Sequence, residues 1–296
     1  MTPRALIFGC LFLSAGGSAL AAPPSAAGEL TSKYASRLVE SDYPAAPAPP
    51  SPPTFALDFS TVHTYRYFYE QLLENHIITP ENDREASFTS SSYGDLMVYS
   101  EPDHTAQLRF EKLRAQSTKT IDGKPLKTNE KFPATWIGNL DQAGGIYEAV
   151  PGQAPLMALL FPIPSKALGV GESMETPVEL DLPVLDTTYA AKGVRRITCT
   201  GYVTVVRRVC AKLEQTLELS AVDDDTHQRV TAFGRSVSFF APSEGRFVRS
   251  AAVITLNMTD PAPPVMAGTG GKTPKTSLPP KKRVSADDFV KIVLAE

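Results

Sequence analysis

From about residue 55 to residue 260 the chain alternates apolar and polar side chains with a period of two. In "HTYRYFYEQ" (63–71), His63, Tyr65, Tyr67 and Tyr69 share one face, while Thr64, Arg66, Phe68 and Glu70 share the other. "TAQLRFEKL" (105–113) sets Ala106, Leu108 and Phe110 against Gln107, Arg109 and Glu111. Near the end of the stretch, Val248, Ala252, Ile254, Leu256 and Met258 keep one parity. Only a strand puts every second side chain on one side. Runs of this length exceed the usual ~5–6 residues of a strand. Short turns separate them, among them Asp122-Gly123, Asn139–Gly145 and "APSEG" (241–245). Parallel neighbours need a crossover of about a dozen residues, so successive strands are expected to pair antiparallel.

The predicted fold is therefore mainly β: a large curved antiparallel sheet or half-open barrel over residues 54–260. Two β-rich halves, about 54–160 and 172–260, are expected to meet at "LMALLFPIPSKALGVGES" (156–173). That apolar run reads as a buried crossover, which Pro162 and Pro164 stop from continuing as helix or central strand. Within 84–100, Gly94-Asp95 predicts a break between two strands.

The flanks differ in composition. Residues 1–21 resemble a secretory signal, with Arg4, an apolar run over 5–15, and the small residues Ala19 and Ala21. That run is shorter than the ~20 residues of a membrane span, so no transmembrane anchor is expected in the mature chain. Residues 22–53 are expected to form a short helix followed by the proline-rich linker "YPAAPAPPSPP". The composition of 261–284 predicts a disordered Pro/Gly/Lys linker. In 285–296, Ser285 followed by Asp288 resembles a capping box, with Phe289, Ile292 and Val293 at helical spacing, so a short C-terminal helix is expected. The address implied is periplasmic or secreted.

Loss of Cys10 with the signal leaves Cys199 and Cys210 in an oxidising compartment, a setting that favours a disulfide. Strand parity opposes one. Pairing odd with odd residues, with Val205 across from Val209 and a turn at Val206-Arg207-Arg208, puts Cys199 opposite Gln215 and facing inward. Cys210 then faces outward, and a bridge needs Cα atoms ~4.4–6.8 Å apart. An inserted bulge residue would reverse this parity.

No motif for chemistry is complete. "GTGGKT" (268–273) has Met266 where a phosphate-binding loop needs Gly. The acidic run 223–225 lacks calcium-loop spacing. His63, His76, His104 and His227 are scattered, and no GxSxG elbow occurs. A hydrolase would have to bring together carboxylates such as Glu70, Glu74, Glu172 and Glu175. With a formal net charge of −3, the chain has no basic surplus for nucleic acid. No cofactor or metal is expected.

The stretch from Leu156 through "GVGESMETPVEL" to "CTGYVTVVRRVCAKLE" resembles uncharacterised exported β-rich bacterial proteins, which implies an exported protein without assigning sites. The predicted architecture is similar to LolA-like lipoprotein-carrier half-barrels, in which long antiparallel strands curl around a helix and hold an acyl chain. That resemblance implies a non-enzymatic binding protein, with an apolar or lipid-like small molecule in the concave face. Tyr65, Tyr67 and Tyr69 are candidates either for that ligand face or for ordinary sheet core. The alternative function is a cell-envelope structural or protein-interaction module bound to an envelope partner, and a third reading is the hydrolase. An inner sheet face that is hollow rather than filled would favour the carrier.

Overall fold

The computed structural model describes residues 33–38, 43–60, 63–79, 84–121, 123–150, 152–184, 187–223, 227–259 and 283–295. The signal-like residues 1–21, the "GTGGKT" stretch and nearly all of the 261–284 linker lie outside them. Within the described residues the chain forms β1 (Thr64–Thr79), β2 (Arg84–Ser100), β3 (Thr105–Ile121), β4 (Lys124–Lys131), β5 (Thr135–Asp141) and β6 (Ile146–Tyr147). One helix, α1 (Ala154–Leu160), follows. Then come β7 (Ser173–Val184), β8 (Thr187–Val205), β9 (Arg208–Val222), β10 (Arg229–Ala241), β11 (Arg246–Thr259) and β12 (Arg283–Leu294).

All twelve strands join one antiparallel sheet in the order β6-β5-β3-β2-β1-β12-β11-β10-β9-β8-β7, with β4 paired beside β5 on β3. The sheet curls into a half-barrel, as the alternation predicts. Its concave face carries the main core. Tyr67, Leu96, Leu108, Leu140, Leu182, Ile197, Leu213, Phe247 and Ile292 reach it from strands on both wings.

The expected C-terminal helix is a strand. β12 pairs with β1 from Tyr67↔Leu294 to Ile78↔Arg283, and with β11 from Arg249↔Val293 to Met258↔Val284. It is the hydrogen-bonded seam between the wing β1–β6 and the wing β7–β11. Val284, Val290 and Ile292 face the concave core, whereas Phe289 faces a cluster on the convex side. A strand buried on both faces loses its alternation. Its apolar residues then fall at spacings that also suit a helix, and the local pattern misleads.

The predicted break at Gly94 is also absent, because β2 runs through it. Opposite Gly94, β3 carries an extra residue: Tyr93 pairs with Arg114 and Asp95 with Glu111. Lys112 takes a positive φ of 53° in this bulge. A Cβ on Gly94 would lie 2.9 Å from the Glu111 carbonyl oxygen, so glycine serves the close approach rather than a strand end. The bulge also switches the parity of β3, so Phe110 and then Leu113 both pack on the core.

α1 crosses the concave face in the connection between the sheet edges β6 and β7, as a buried crossover should. Leu156, Met157, Leu159 and Leu160 are all buried. Helical geometry ends where the Phe161 N–H donates to the Met157 carbonyl, and Pro162 prevents continuation. Gly234 on β10 forms the seat, since a Cβ there would meet Leu159 Cδ1 at 2.7 Å.

Most of the stretch expected to carry a short N-terminal helix lies outside the described residues; of it, 33–38 are described and hold a 3₁₀ turn, Ala35–Arg37. Leu38 packs on the convex face against Val253 and Phe289, and Tyr43 meets Phe239 edge-on at 5.0 Å. The chain then adds to the free edge of β8. The Ala46 N–H donates to the Tyr202 carbonyl and the Thr204 N–H to the Pro44 carbonyl. Phe55, Leu57 and Phe59 follow into the concave core. The segment 43–59 thus wraps one end of the sheet from outside to inside.

Candidate functional site

The half-barrel has two unlike ends. At the wrapped end, Phe55, Tyr67, Phe161, Phe240 and Phe247 form an aromatic plug. Ring centroids lie 5.7 Å apart for Phe161–Phe247, 5.1 Å for Phe240–Phe247 and 5.8 Å for Phe55–Phe240. The Tyr67 hydroxyl, deep in this plug, donates to the Phe247 carbonyl at 3.0 Å. Burial pushes its ionisation well above the ordinary range.

The other end is hollow. A cavity of about 350 Å³ lies between the start of α1, the end of β7 and the middle of the sheet. Leu73 and Ile77 of β1, Leu182 and Val184 of β7, and Ile254 and Leu256 of β11 supply apolar walls. Pro155 and Leu156 of α1 form its inner roof. This volume is at the lower end of the ~300–1,000 Å³ of small-molecule pockets. The inner face is therefore filled at one end and hollow at the other.

Two polar groups interrupt the apolar wall: Asn75 of β1 and Asp288 of β12. Tyr69 donates its hydroxyl to Gln71 Oε1 at 2.9 Å, and Gln71 Nε2 donates to Asp288 Oδ2 at 2.7 Å. Asp288 Oδ1 and Asn75 Oδ1 are buried with no hydrogen-bond partner. Burial pushes the Asp288 carboxyl up to about 7, against a smaller lowering by the Gln71 bond. Tyr69 is raised as well, by burial first and by Asp288 second.

A carboxyl whose folded pKa is raised favours folding while it is protonated. That contribution is fully present below the ordinary value of 3.8 and is lost as pH rises through about 7. Asp288→Asn cannot ionise. Its stability relative to the parent is therefore expected to rise by roughly 2–4 kcal/mol between about pH 4 and about pH 8. Urea titrations across that range read this swing directly, and a flat difference would contradict it.

The three tyrosines singled out in the sequence separate. Tyr67 and Tyr69 are buried in the concave core and Tyr65 is half-buried at its edge, and none of them borders the cavity. Tyr65 instead borders a polar cleft with Asp58, His63, Glu244 and Arg246 at the wrapped end. There Glu244 pairs with both Arg208 and Arg246, and the Arg246 guanidinium lies 5.4 Å from the Tyr65 ring centre, so the charges are matched internally.

Cys199 and Cys210 are free thiols, both fully buried. They face opposite sides, Cys199 the concave core and Cys210 the convex cluster with Val205 and Phe239. The register differs from the expected one. A two-residue turn at Val206-Arg207, both at positive φ, pairs Val205 with Arg208, and a bulge between Cys199 and Gly201 brings Cys199 opposite Leu213. The bulge lies beyond Cys199, so it turns Val203 and Val205 outward and leaves Cys199 inward. Burial raises both thiols, Cys210 to about 11, which keeps them protonated and poorly nucleophilic.

Each carboxylate named for a hydrolase is engaged in an ion pair or a hydrogen bond. Glu70 and Glu74 engage Arg37 and Lys33 of the N-terminal segment. Glu175 pairs with Arg196, and Glu172 accepts from the Gly169 N–H. Among the described residues, no group of three His, Cys, Asp or Glu is placed to hold a metal ion. No helix among them is long and apolar enough to cross a membrane.

Asp288 and Asn75 escaped the sequence reading. Asp288 was visible only as a capping-box partner of Ser285. Nothing local signals that a central strand carries it to a cavity wall.

No protein-family model matches the chain, and no curated protein matches it. Among solved structures, the chain is similar to lipovitellin, in a structure describing that protein's lipid–protein interactions, with 12% identity and a TM-score of 0.41. The match covers 81% of this chain and 26% of the lipovitellin chain, so this chain spans about a quarter of that protein's length. A second neighbour is a DUF1329 family protein from Desulfovibrio piger, with 11% identity, a TM-score of 0.13, and coverage of 78% and 85% of the two chains. Neither superposition is close enough to transfer a ligand or a site.

Proposed function

We propose that this chain is an exported, non-enzymatic binding protein that holds the hydrocarbon part of one small apolar molecule in the hollow end of its half-barrel. The observation that carries this reading is the cavity of about 350 Å³ with aliphatic walls from β1, β7, β11 and α1. Burying an alkyl chain there gains ~25 cal/mol per Å² of apolar surface removed from water. The aromatic plug closes the opposite end, so a chain entering from the hollow end stops inside. Export rests on the signal-like residues 1–21, and a periplasmic or secreted location follows from it.

The direct test is binding of a fluorescent alkyl probe to delipidated protein, with native mass spectrometry of the protein as purified. One probe per chain is expected. Leu256 borders the cavity, so Leu256→Trp fills empty space and should weaken the probe at least ~10-fold while leaving the unfolding midpoint near that of the parent. Absence of binding, or equal binding by the filled variant, would remove the carrier reading.

The interaction-module reading keeps one observation in its favour. All eight residues of β4 are exposed, and Leu126 is 64% exposed at that sheet edge.

A further inference from the structure

The cavity is not uniformly greasy, and its polar spot is one-sided. Asp288 Oδ2 is occupied by Gln71, whose own Oε1 is occupied by Tyr69. This relay fixes the Gln71 amide, so Gln71 cannot turn to serve Asp288 Oδ1. That oxygen and Asn75 Oδ1 are buried acceptors without donors, on adjacent strands of one cavity wall. Buried acceptors in native proteins are nearly always satisfied. No described lining residue can do it: among the described residues that border the cavity there is no Lys, Arg or His, and Asp288 is the one titratable group.

We propose that the ligand is an amphiphile whose polar end is a hydrogen-bond donor without negative charge, a long-chain primary amine in its ammonium form above all. Its alkyl chain lies along Leu73, Ile254 and Leu256, and its ammonium group donates to Asp288 Oδ1 and Asn75 Oδ1. This rests on the apolar-binding reading above and names the ligand class of the same cavity. A fatty alcohol satisfies one of the two acceptors without charge. With Asp288 ionised, a carboxylate supplies no donor, finds no cation among the described lining residues, and meets a like charge. Charge-assisted hydrogen bonds in a water-poor site are the stronger kind, so the order of affinity is amine, alcohol, carboxylate.

The experiment titrates the full chain at about pH 8.5, where Asp288 is ionised and dodecylamine is still an ammonium ion, with dodecylamine, dodecanol and dodecanoate within their monomeric solubility, by displacement of the fluorescent alkyl probe. Dodecylamine is expected to bind at least ~10-fold tighter than dodecanoate, with dodecanol between them. Asp288→Asn, which removes the charge, should bring the amine down to the level of the alcohol. The parent protein gives a second readout that needs no variant, because the ¹³C signal of the Asp288 carboxyl should move on adding amine and stay in place on adding dodecanoate. Dodecanoate binding as tightly as the amine, or an Asp288 signal that ignores the amine, overturns the head-group assignment and leaves the apolar cavity standing. Failure of all three compounds to displace the probe overturns the cavity reading itself.

Discussion

A chain ending at Lys282 is expected to lose cooperative folding. Removal of β12 takes the ladder partner from β1 over Tyr67–Ile78 and from β11 over Arg249–Met258 at the same time. It also removes Val284, Phe289, Val290 and Ile292, all buried. At ~1.5–3 kcal/mol for each of these four apolar side chains withdrawn from the core, the loss of roughly 6–12 kcal/mol is as large as the ~5–15 kcal/mol that holds an ordinary domain together. Near-ultraviolet circular dichroism should fall to the level of a disordered chain, and urea should give no sigmoid. A synthetic peptide of residues 283–295 supplied in excess should restore part of the signal, because a sheet edge accepts an added strand. A sigmoid with the parent's midpoint in the truncated chain would mean that the seam is dispensable and that the two wings hold without it.

Replacing Phe247 by Ala should lower stability by about 3–5 kcal/mol, the usual range for a fully buried aromatic ring. Phe247 is fully buried and stands edge-on to both Phe161 and Phe240, so its ring links the crossover to the sheet. Its loss opens a void where α1, Tyr67 and the sheet meet, and neighbours held by their own ring contacts collapse only partly into it. The control is Phe68→Ala on the convex side of β1. Phe68 is 53% exposed, and its removal should stay within about 0.5 kcal/mol. Urea midpoints of the two variants separate the predictions. Comparable losses would show that the plug is no tighter than the surface.

The architecture was legible because alternation is local and most of the sheet is one-sided enough to display it. In β7, in β9 from Ala211 to Leu219, and in β11 from Ala252 to Met258, the parity of apolar residues agrees with the observed core face, whereas Val248, expected on that same face, packs in the convex cluster because it is the extra residue of a bulge against β10. Legibility ended where partners distant in sequence decide the outcome. β12 offers Phe289, Val290, Ile292 and Val293, a cluster that suits a helix stripe or a doubly buried strand equally well. Two open ladders, one from each wing, decide between them, and neither is visible from twelve residues. The bulges at Lys112 and Thr200 reversed parity without any glycine at the bulged position to announce them. The cavity was less legible still. Asp288, Asn75 and Leu182 come from β12, β1 and β7, and only the curl of the sheet brings them around one space.

The strand order carries a consequence for biosynthesis. β1 and β11 emerge from the ribosome far apart in time, and β12 emerges after every other strand described here. The growing polypeptide therefore cannot close its sheet during most of translation, and the average contact spans a long stretch of sequence, which slows folding. Until then it displays two unfinished edges and remains open to chaperones. The export proposed above would gain time from this delay, because the residue run that locks the structure is the last of the sheet to arrive.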